Sequence, residues 1–214
     1  MTMRRLSPVD RVFEQIDQAV RTVLAPPPPA SRPNPAADLP EAAMTERERR
    51  HAAALMRVNH AGEVMAQGLY QGQALTARLD TVRGAMEQAA VEEFDHLAWC
   101  EERLAELRDH PSRLGPLWYT GAFVLGAGAG LAGDRWSLGF VSETEAQVIS
   151  HLEEHLGRLP PADQRSRAII GQMKLDEAHH GEVAREAGGR PLPAPARRFM
   201  AMISRVMTRT AYWI

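Results

Sequence analysis

Apolar residues recur every three or four positions along most of this chain and almost nowhere alternate. That period belongs to amphipathic helices rather than strands. Val9, Phe13, Ile16, Val20, Val23 and Leu24 mark a short amphipathic helix over 7–24. Four prolines at 26–29, followed by Pro33, Pro35 and Pro40, read as a stiff linker or disordered stretch. The helical period resumes over 45–79, where Thr45 and Glu48 have the spacing of a capping box. A second long helix spans 81–109 and ends before Pro111. A third spans 136–159, stopped by Pro160-Pro161, and a fourth spans 163–187, stopped by Gly188-Gly189. The pattern predicts an all-α antiparallel four-helix bundle over 45–214, preceded by a helix and proline linker over 1–44.

Two further segments add helices to that bundle. Residues 114–133 are twenty uncharged residues, six of them glycine. The length suits a membrane span, but strongly lipophilic residues are sparse. The preferred reading is a helix packed inside the bundle, with glycines letting backbones approach; lipid contact at one end is the second. Residues 197–214 interleave Arg197, Arg198, Arg205 and Arg209 with Phe199, Met202, Ile203, Val206, Met207, Tyr212, Trp213 and Ile214. This is a basic amphipathic helix suited to a membrane surface or a partner groove.

Composition removes several functions. With 25 basic and 27 acidic residues, the chain lacks the positive charge of a nucleic-acid binder. Its single cysteine, Cys100, rules out a disulfide or thiolate-zinc framework within one chain and reads as a small core residue. Arg4 and Arg5 are followed by acids rather than an apolar core, so no signal peptide is expected and the default address is a bacterial cytoplasm.

The chemistry lies in the glutamates and histidines. Glu-x-x-His occurs three times, at Glu48, Glu93 and Glu177. With 18 Glu and 8 His in 214 positions, chance supplies about 0.7, so placement must decide. Glu48 and His51 lie in TERERRH, a solvated face, and are set aside. Glu93 and His96 lie on the stripe Val82, Met86, Ala89, Cys100, Leu104 and Leu107. Glu177 and His180 lie on the stripe Ile170, Met173, Ala184 and Ala187. Burying an ionised glutamate costs several kcal/mol unless it is paired or ligates a metal.

The other two bundle helices each carry one lone inward carboxylate. Glu63 aligns with Met56, Asn59, Ala66, Tyr70 and Ala74, and Glu145 with Val141, Val148, Leu152 and Leu156. Glu93 follows Glu63 by 30 residues and Glu177 follows Glu145 by 32. The same two-helix unit therefore occurs twice. Four glutamates and two histidines from four helices form a dinuclear carboxylate site of the ferritin-like kind. Four negative charges balance two divalent cations, and oxygen plus imidazole donors suit iron or manganese. The Glu-x-x-His carboxylates are the expected bridges. A lone Glu or His on a stripe is usually a hydrogen-bonded boundary residue; the repeated set is what points to metal.

Asp95 and Asp176, beside the two motifs, are candidates to hydrogen-bond a ligand histidine from the facing helix. Tyr70, on the Glu63 stripe, either bonds near the metals or fills core. His151 and His179 are open to an orienting role, with a surface or boundary position the simpler reading; His60 is expected to pack or face water.

MRVNHAGEVMAQGLYQGQ at 56–73, EEFDHL at 92–97, SETEA at 142–146 and DEAHHGEVA at 176–184 resemble the demethoxyubiquinone hydroxylase family over roughly residues 45–214. The resemblance implies a ferritin-like di-iron monooxygenase of ubiquinone biosynthesis, with ligands at Glu63, Glu93, His96, Glu145, Glu177 and His180. It implies O2 as co-substrate and a polyprenylated demethoxybenzoquinol hydroxylated at its vacant ring carbon. NADH supplies electrons, directly or through the quinone. The glycines at 126, 128 and 130 follow no strand, so any NADH contact is made without a Rossmann domain. The expected partners are the lipophilic quinone, the cytoplasmic face of the cell membrane as a peripheral protein, and other ubiquinone-biosynthesis proteins. Homo-oligomerisation is open. Residues 1–44 lie outside the family core. An iron-oxidising or iron-storing ferritin-like protein would use the same ligands, and a helical interaction protein would use none. The uncharged glycine-rich run and the arginine-aromatic tail favour the hydroxylase. Four mutually repelling buried carboxylates oppose a bundle without metal.

Overall fold

The computed structural model describes residues 8–25 and 29–214. Pro26, Pro27 and Pro28, like Arg4 and Arg5, lie outside the described residues, as do the side chains of Val9 and Leu24. Seven helices and no strand occur among those described: α1 Pro8–Leu24, α2 Glu46–Thr76, α3 Asp80–Glu106, α4 Gly115–Ala132, α5 Asp134–Arg158, α6 Gln164–Glu186 and α7 Ala194–Ala211. The boundaries follow local chemistry. At the start of α2, Thr45 Oγ1 accepts the Glu48 backbone N–H while the Glu48 carboxylate accepts that of Thr45. Asp163 caps α6 by accepting the Ser166 N–H at 3.0 Å. Gly133 and Gly188 end α4 and α6 at φ 118° and 94°, where a side chain would be strained.

α2, α3, α5 and α6 form the bundle, in three layers along its axis. At one end Leu55, Met56, Trp99, Cys100, Leu104, Leu152, Ile169, Ile170 and Met173 make an apolar cluster. At the other, Tyr70, Ala74, Val82, Met86, Leu138, Val141 and Ala184 make a second. The inward glutamates and histidines lie between them in sequence on every one of the four helices. Most of the expected stripe positions are buried or half-buried. Ala187 departs from its stripe because α6 has already ended there, leaving it exposed.

α2 is buried around its whole circumference because α4 and α7 cover it from outside. α4 corrects one expectation: it lies along the outer side of α2 rather than inside the bundle. Glycines do serve as the close-approach surface. A Cβ at Gly72 would meet the Phe123 carbonyl, and one at Gly126 the Leu69 carbonyl. The opposite face of α4 exposes Leu117, Val124 and Leu131. Among the described residues no helix is long and apolar enough to cross a membrane.

The proline-rich segment also departs from expectation. From residue 29 onward it packs as a strap across α3 and α6, burying Ala36 completely. Asn34 Nδ2 donates to Glu102 at 2.7 Å, and Glu41 pairs with the buried Arg103. Proline limits the entropy lost when such a strap is ordered, and these polar anchors supply the attachment. Beyond it, α1 packs Ala19 and Val23 against Val64, Leu97 and Tyr119, while Phe13, Ile16 and Val20 remain exposed.

Candidate metal centre

The six predicted ligands converge in the polar layer. Glu63, Glu93, His96 and Glu177 place one ligand atom each within 4.8 Å of one another. His96 Nδ1 lies 2.9 Å from Glu93 Oε2, 3.2 Å from Glu177 Oε1 and 3.6 Å from Glu63 Oε2. His180 Nδ1 lies 3.2 Å from Glu93 Oε1 and 3.3 Å from Glu177 Oε2. Glu93 and Glu177 thus each present one oxygen to each histidine. Glu145 completes the layer from α5, accepting the Tyr70 hydroxyl at 2.5 Å. Every one of the six is buried.

Both imidazoles turn Nδ1 inward and Nε2 outward. His96 Nε2 lies 2.9 Å from Asp176 Oδ2, and His180 Nε2 lies 2.7 Å from Glu92 Oε2. An outward Nε2–H donated to a carboxylate leaves the Nδ1 lone pair directed at the centre, which is how protein ligands to metal are oriented.

The electrostatics are those of a buried cluster of mutually repelling carboxylates. Burial, with the charges of Glu177 and Glu93, holds Glu145 well above the usual carboxylate range. Burial and the same two neighbours raise Glu63. Burial opposes the charge on Glu93 too, but His96 and His180 outweigh it and pull its pKa down. Desolvation disfavours a charged His180, yet the Glu177 and Glu93 carboxylates beside it push its pKa up to about 12. His96 likewise rises well above its ordinary value, because surrounding carboxylates overcome its burial. Glu93 Oε1 is sealed from water without a hydrogen bond, His180 Nδ1 at 3.2 Å lacking the geometry to donate. A buried anionic oxygen left this way costs several kcal/mol unless something else takes it up. Four carboxylates, two inward nitrogens and an orphaned oxygen fit two oxygen-preferring divalent metals.

The supporting residues divide. Asp176 and Tyr70 reach the site residues that sequence placement suggested. Asp95 does not bond a ligand histidine: its oxygens accept from the Ser31 backbone at 2.7 Å and from Arg32 Nε at 2.8 Å. It sits two residues beyond Glu93, on the side of α3 facing the strap. The partner of His180 is Glu92, which the sequence reading missed. The signal was available, since Glu92 and Asp176 each immediately precede a ligand glutamate in the repeat. His151 turns away to Ser204 on α7 at 2.8 Å, and His179 is exposed. His60 is buried, and desolvation lowers its pKa to about 4. His51 bonds Tyr212 and the Arg158 carbonyl, away from the centre.

Several cavities adjoin this layer, one of them lined by Tyr70, Met86, Glu92, Leu138, Val141 and His180. A small apolar groove runs between α2, α4, α5 and α7, lined by Gly62, Ala66, Leu125, Phe140, Thr144, Ile203 and Met207 among others. Gly62 and Thr144 are the chain neighbours of Glu63 and Glu145. On the opposite side a polar pocket is lined by Ser31, Arg32, Glu92, Asp95, Asp176 and His180.

Comparison with known proteins agrees with this geometry. The family model described as ubiquinone biosynthesis protein COQ7 matches residues 50–211. The chain is 58% identical over 214 residues to the 3-demethoxyubiquinol 3-hydroxylase of Nitrosococcus oceani, covering both chains fully. It is 55% identical over 213 residues to that of Pseudomonas fluorescens, covering 100% of this chain and 99% of the relative. It is 57% identical over 206 residues to that of Nitrosomonas eutropha, covering 96% and 99%. The first forty-four residues, outside the matched family region, therefore align with relatives too. With its repeated inward Glu and Glu-x-x-His helices and full-length similarity to these hydroxylases, the chain belongs to the ubiquinone biosynthesis protein COQ7 family.

Proposed function

We propose that the protein hydroxylates a polyprenylated demethoxybenzoquinol in ubiquinone biosynthesis, using two iron ions, O2 and electrons from NADH. The observation that carries this reading is the pair Glu93 and Glu177, each spanning both inward histidines. Glu63, Glu93, His96, Glu145, Glu177 and His180 would hold the two irons between them, with Glu93 and Glu177 placed to serve both the His96 and the His180 side. When bound, the iron pair supplies O2 and one-electron chemistry that side chains lack. The chain's own groups prepare the site for it. Asp176 and Glu92 hold the outward histidine protons, and Tyr70 keeps its proton against Glu145 Oε1. Burial and the nearby carboxylates hold the Tyr70 pKa well above its ordinary value, so it acts as a donor.

The apolar groove is the natural seat for the prenyl tail. Its lining is mostly apolar and includes Gly62 and Thr144, the chain neighbours of Glu63 and Glu145. Exposed Phe199, Met202, Val206 and Trp213 on or just beyond α7, with Leu117, Val124 and Leu131 on α4, form an apolar exterior around it. Arginines 205 and 209 stand exposed among them. Such a face suits peripheral attachment to an anionic membrane, from which a lipid-soluble quinol enters. NADH delivers its electrons directly or through the quinone. Purified protein reconstituted with iron and given demethoxyubiquinone, O2 and NADH is expected to yield the hydroxylated quinone, read by mass spectrometry. Two irons bound with no such product would instead favour iron oxidation or storage.

A further inference from the structure

The two ligand histidines are held by matched hydrogen-bond chains. Gln172 Nε2 donates to Asp176 Oδ1 at 2.9 Å, and Asp176 Oδ2 faces His96. Gln88 Nε2 donates to Glu92 Oε1 at 2.9 Å, and Glu92 Oε2 faces His180. In both chains the glutamine stands four residues before the carboxylate, one helical turn away on the same face.

The match ends at Arg32. This residue belongs to the strap, not to the bundle. Its Nη1 donates to Asp176 Oδ2 at 2.8 Å, the oxygen that His96 also uses. Its Nε donates to Asp95 Oδ2 at 2.8 Å, and Ser31 saturates the other Asp95 oxygen. The guanidinium lies over the Trp99 ring at 4.9 Å, and Trp99 packs against the His96 ring at 5.5 Å. Asp176 is thereby fixed from three sides. Glu92 accepts from Gln88 and His180 alone among the described hydrogen bonds, and its side chain is 39% exposed.

We propose that Arg32 is a positioning residue: by clamping Asp95 and Asp176 with one guanidinium it fixes His96 and makes the two metal positions inequivalent. A planar guanidinium holds two carboxylates in a fixed, widely spaced geometry, whereas an ammonium is a compact point charge whose donors rotate freely. The strap therefore completes the centre on the His96 side. This inference rests on the di-iron reading above.

The test uses the full chain loaded with ⁵⁷Fe and then exposed to a ferrous chelator. Wild type is expected to show two distinct Mössbauer doublets and to release iron in two phases. Arg32→Ala is expected to speed the slower phase by about 10- to 100-fold, the usual cost of losing a ligand-orienting partner, and to draw the doublets together. Arg32→Lys keeps the charge without the fork and is expected to follow Arg32→Ala. Glu41→Ala loosens the same strap at its far anchor and is expected to leave both phases and both doublets as in wild type. Unchanged phases and doublets in Arg32→Ala overturn the proposal. So does full rescue by lysine, or a Glu41→Ala variant that reproduces the loss. A wild-type protein that binds no iron defeats the di-iron reading itself, whereas two irons bound and released identically by wild type and Arg32→Ala defeats only the role of Arg32.

Discussion

The two sides of the bundle solve different problems around one symmetric interior. Inside, the α2–α3 and α5–α6 units contribute matching ligands, and even the Gln–carboxylate–His chains obey the repeat. Outside, the α2–α5 side is covered by α4 and α7 and encloses an apolar groove. The α3–α6 side is crossed by a proline-rich strap and keeps a polar pocket. On the proposed reading, two metals would draw on matching donor sets, while a lipophilic quinol and small polar species would reach them by different sides. The repeat is kept among the inward donors and lost in what covers the bundle.

The largest effect is expected from breaking the interior. Glu145→Gln keeps the size of the side chain but removes one anionic ligand. It is expected to lower bound iron and cut hydroxylation by at least about 100-fold, while far-ultraviolet circular dichroism remains that of a helical bundle. Full activity in this variant would point to Glu143 as the ligand instead. On the strap side, Arg103→Ala strands the fully buried Asp163, to which Arg103 Nη2 donates at 2.9 Å. A loss of about 3–5 kcal/mol in urea unfolding is expected, since an uncompensated buried charge remains. On the groove side, Gly126→Ala forces a Cβ into the Leu69 carbonyl and pushes α4 off α2. About 1–3 kcal/mol is expected, with weaker quinone binding than wild type.

A pH scan sharpens the comparison on the side of α5. His155 is buried and bonds Asn59 at 2.6 Å, and desolvation, aided by His151 and Arg158, lowers its pKa from 6.5 to about 3. The folded protein therefore holds it neutral where the unfolded chain would protonate it. Its contribution to stability is complete above pH 6.5 and is lost as pH falls from there toward 3. His155→Gln is expected to flatten the fall in melting temperature between pH 7 and 5 relative to wild type. The smallest effect is expected at the outer surface. Replacing Phe199 and Val206 together by serine is expected to weaken sedimentation with anionic vesicles several-fold while leaving iron content unchanged. Equal vesicle binding would remove α7 from the membrane-facing role.

Much of this was legible in one dimension because helices write their burial into a 3.6-residue period. Each helix boundary fell within three residues of its prediction, marked by Thr45, Asp163, Gly188 and the proline pairs. The six converging side chains could be found because a charged residue on an apolar stripe needs compensation, and because the stripe repeats. Periodicity names the face of a helix but not the neighbour that face will meet. Asp95 and Glu92 both flank Glu93, and only the packing of α6 and the strap decides that Glu92 reaches His180 while Asp95 holds Arg32. The composition of residues 29–44 shows a chain too stiff to be helical. That it lies across α3 and α6 depends on Asp95 and Asp176, more than sixty and more than one hundred forty residues away. The groove is likewise a property of four helices at once, set by glycines that let α4 settle onto α2. By itself the sequence determined the helices, their inward faces and the donor set, since these are local or repeated features. Tertiary structure alone decided which carboxylate serves which histidine and which side of the centre is apolar, because those choices rest on contacts between distant segments.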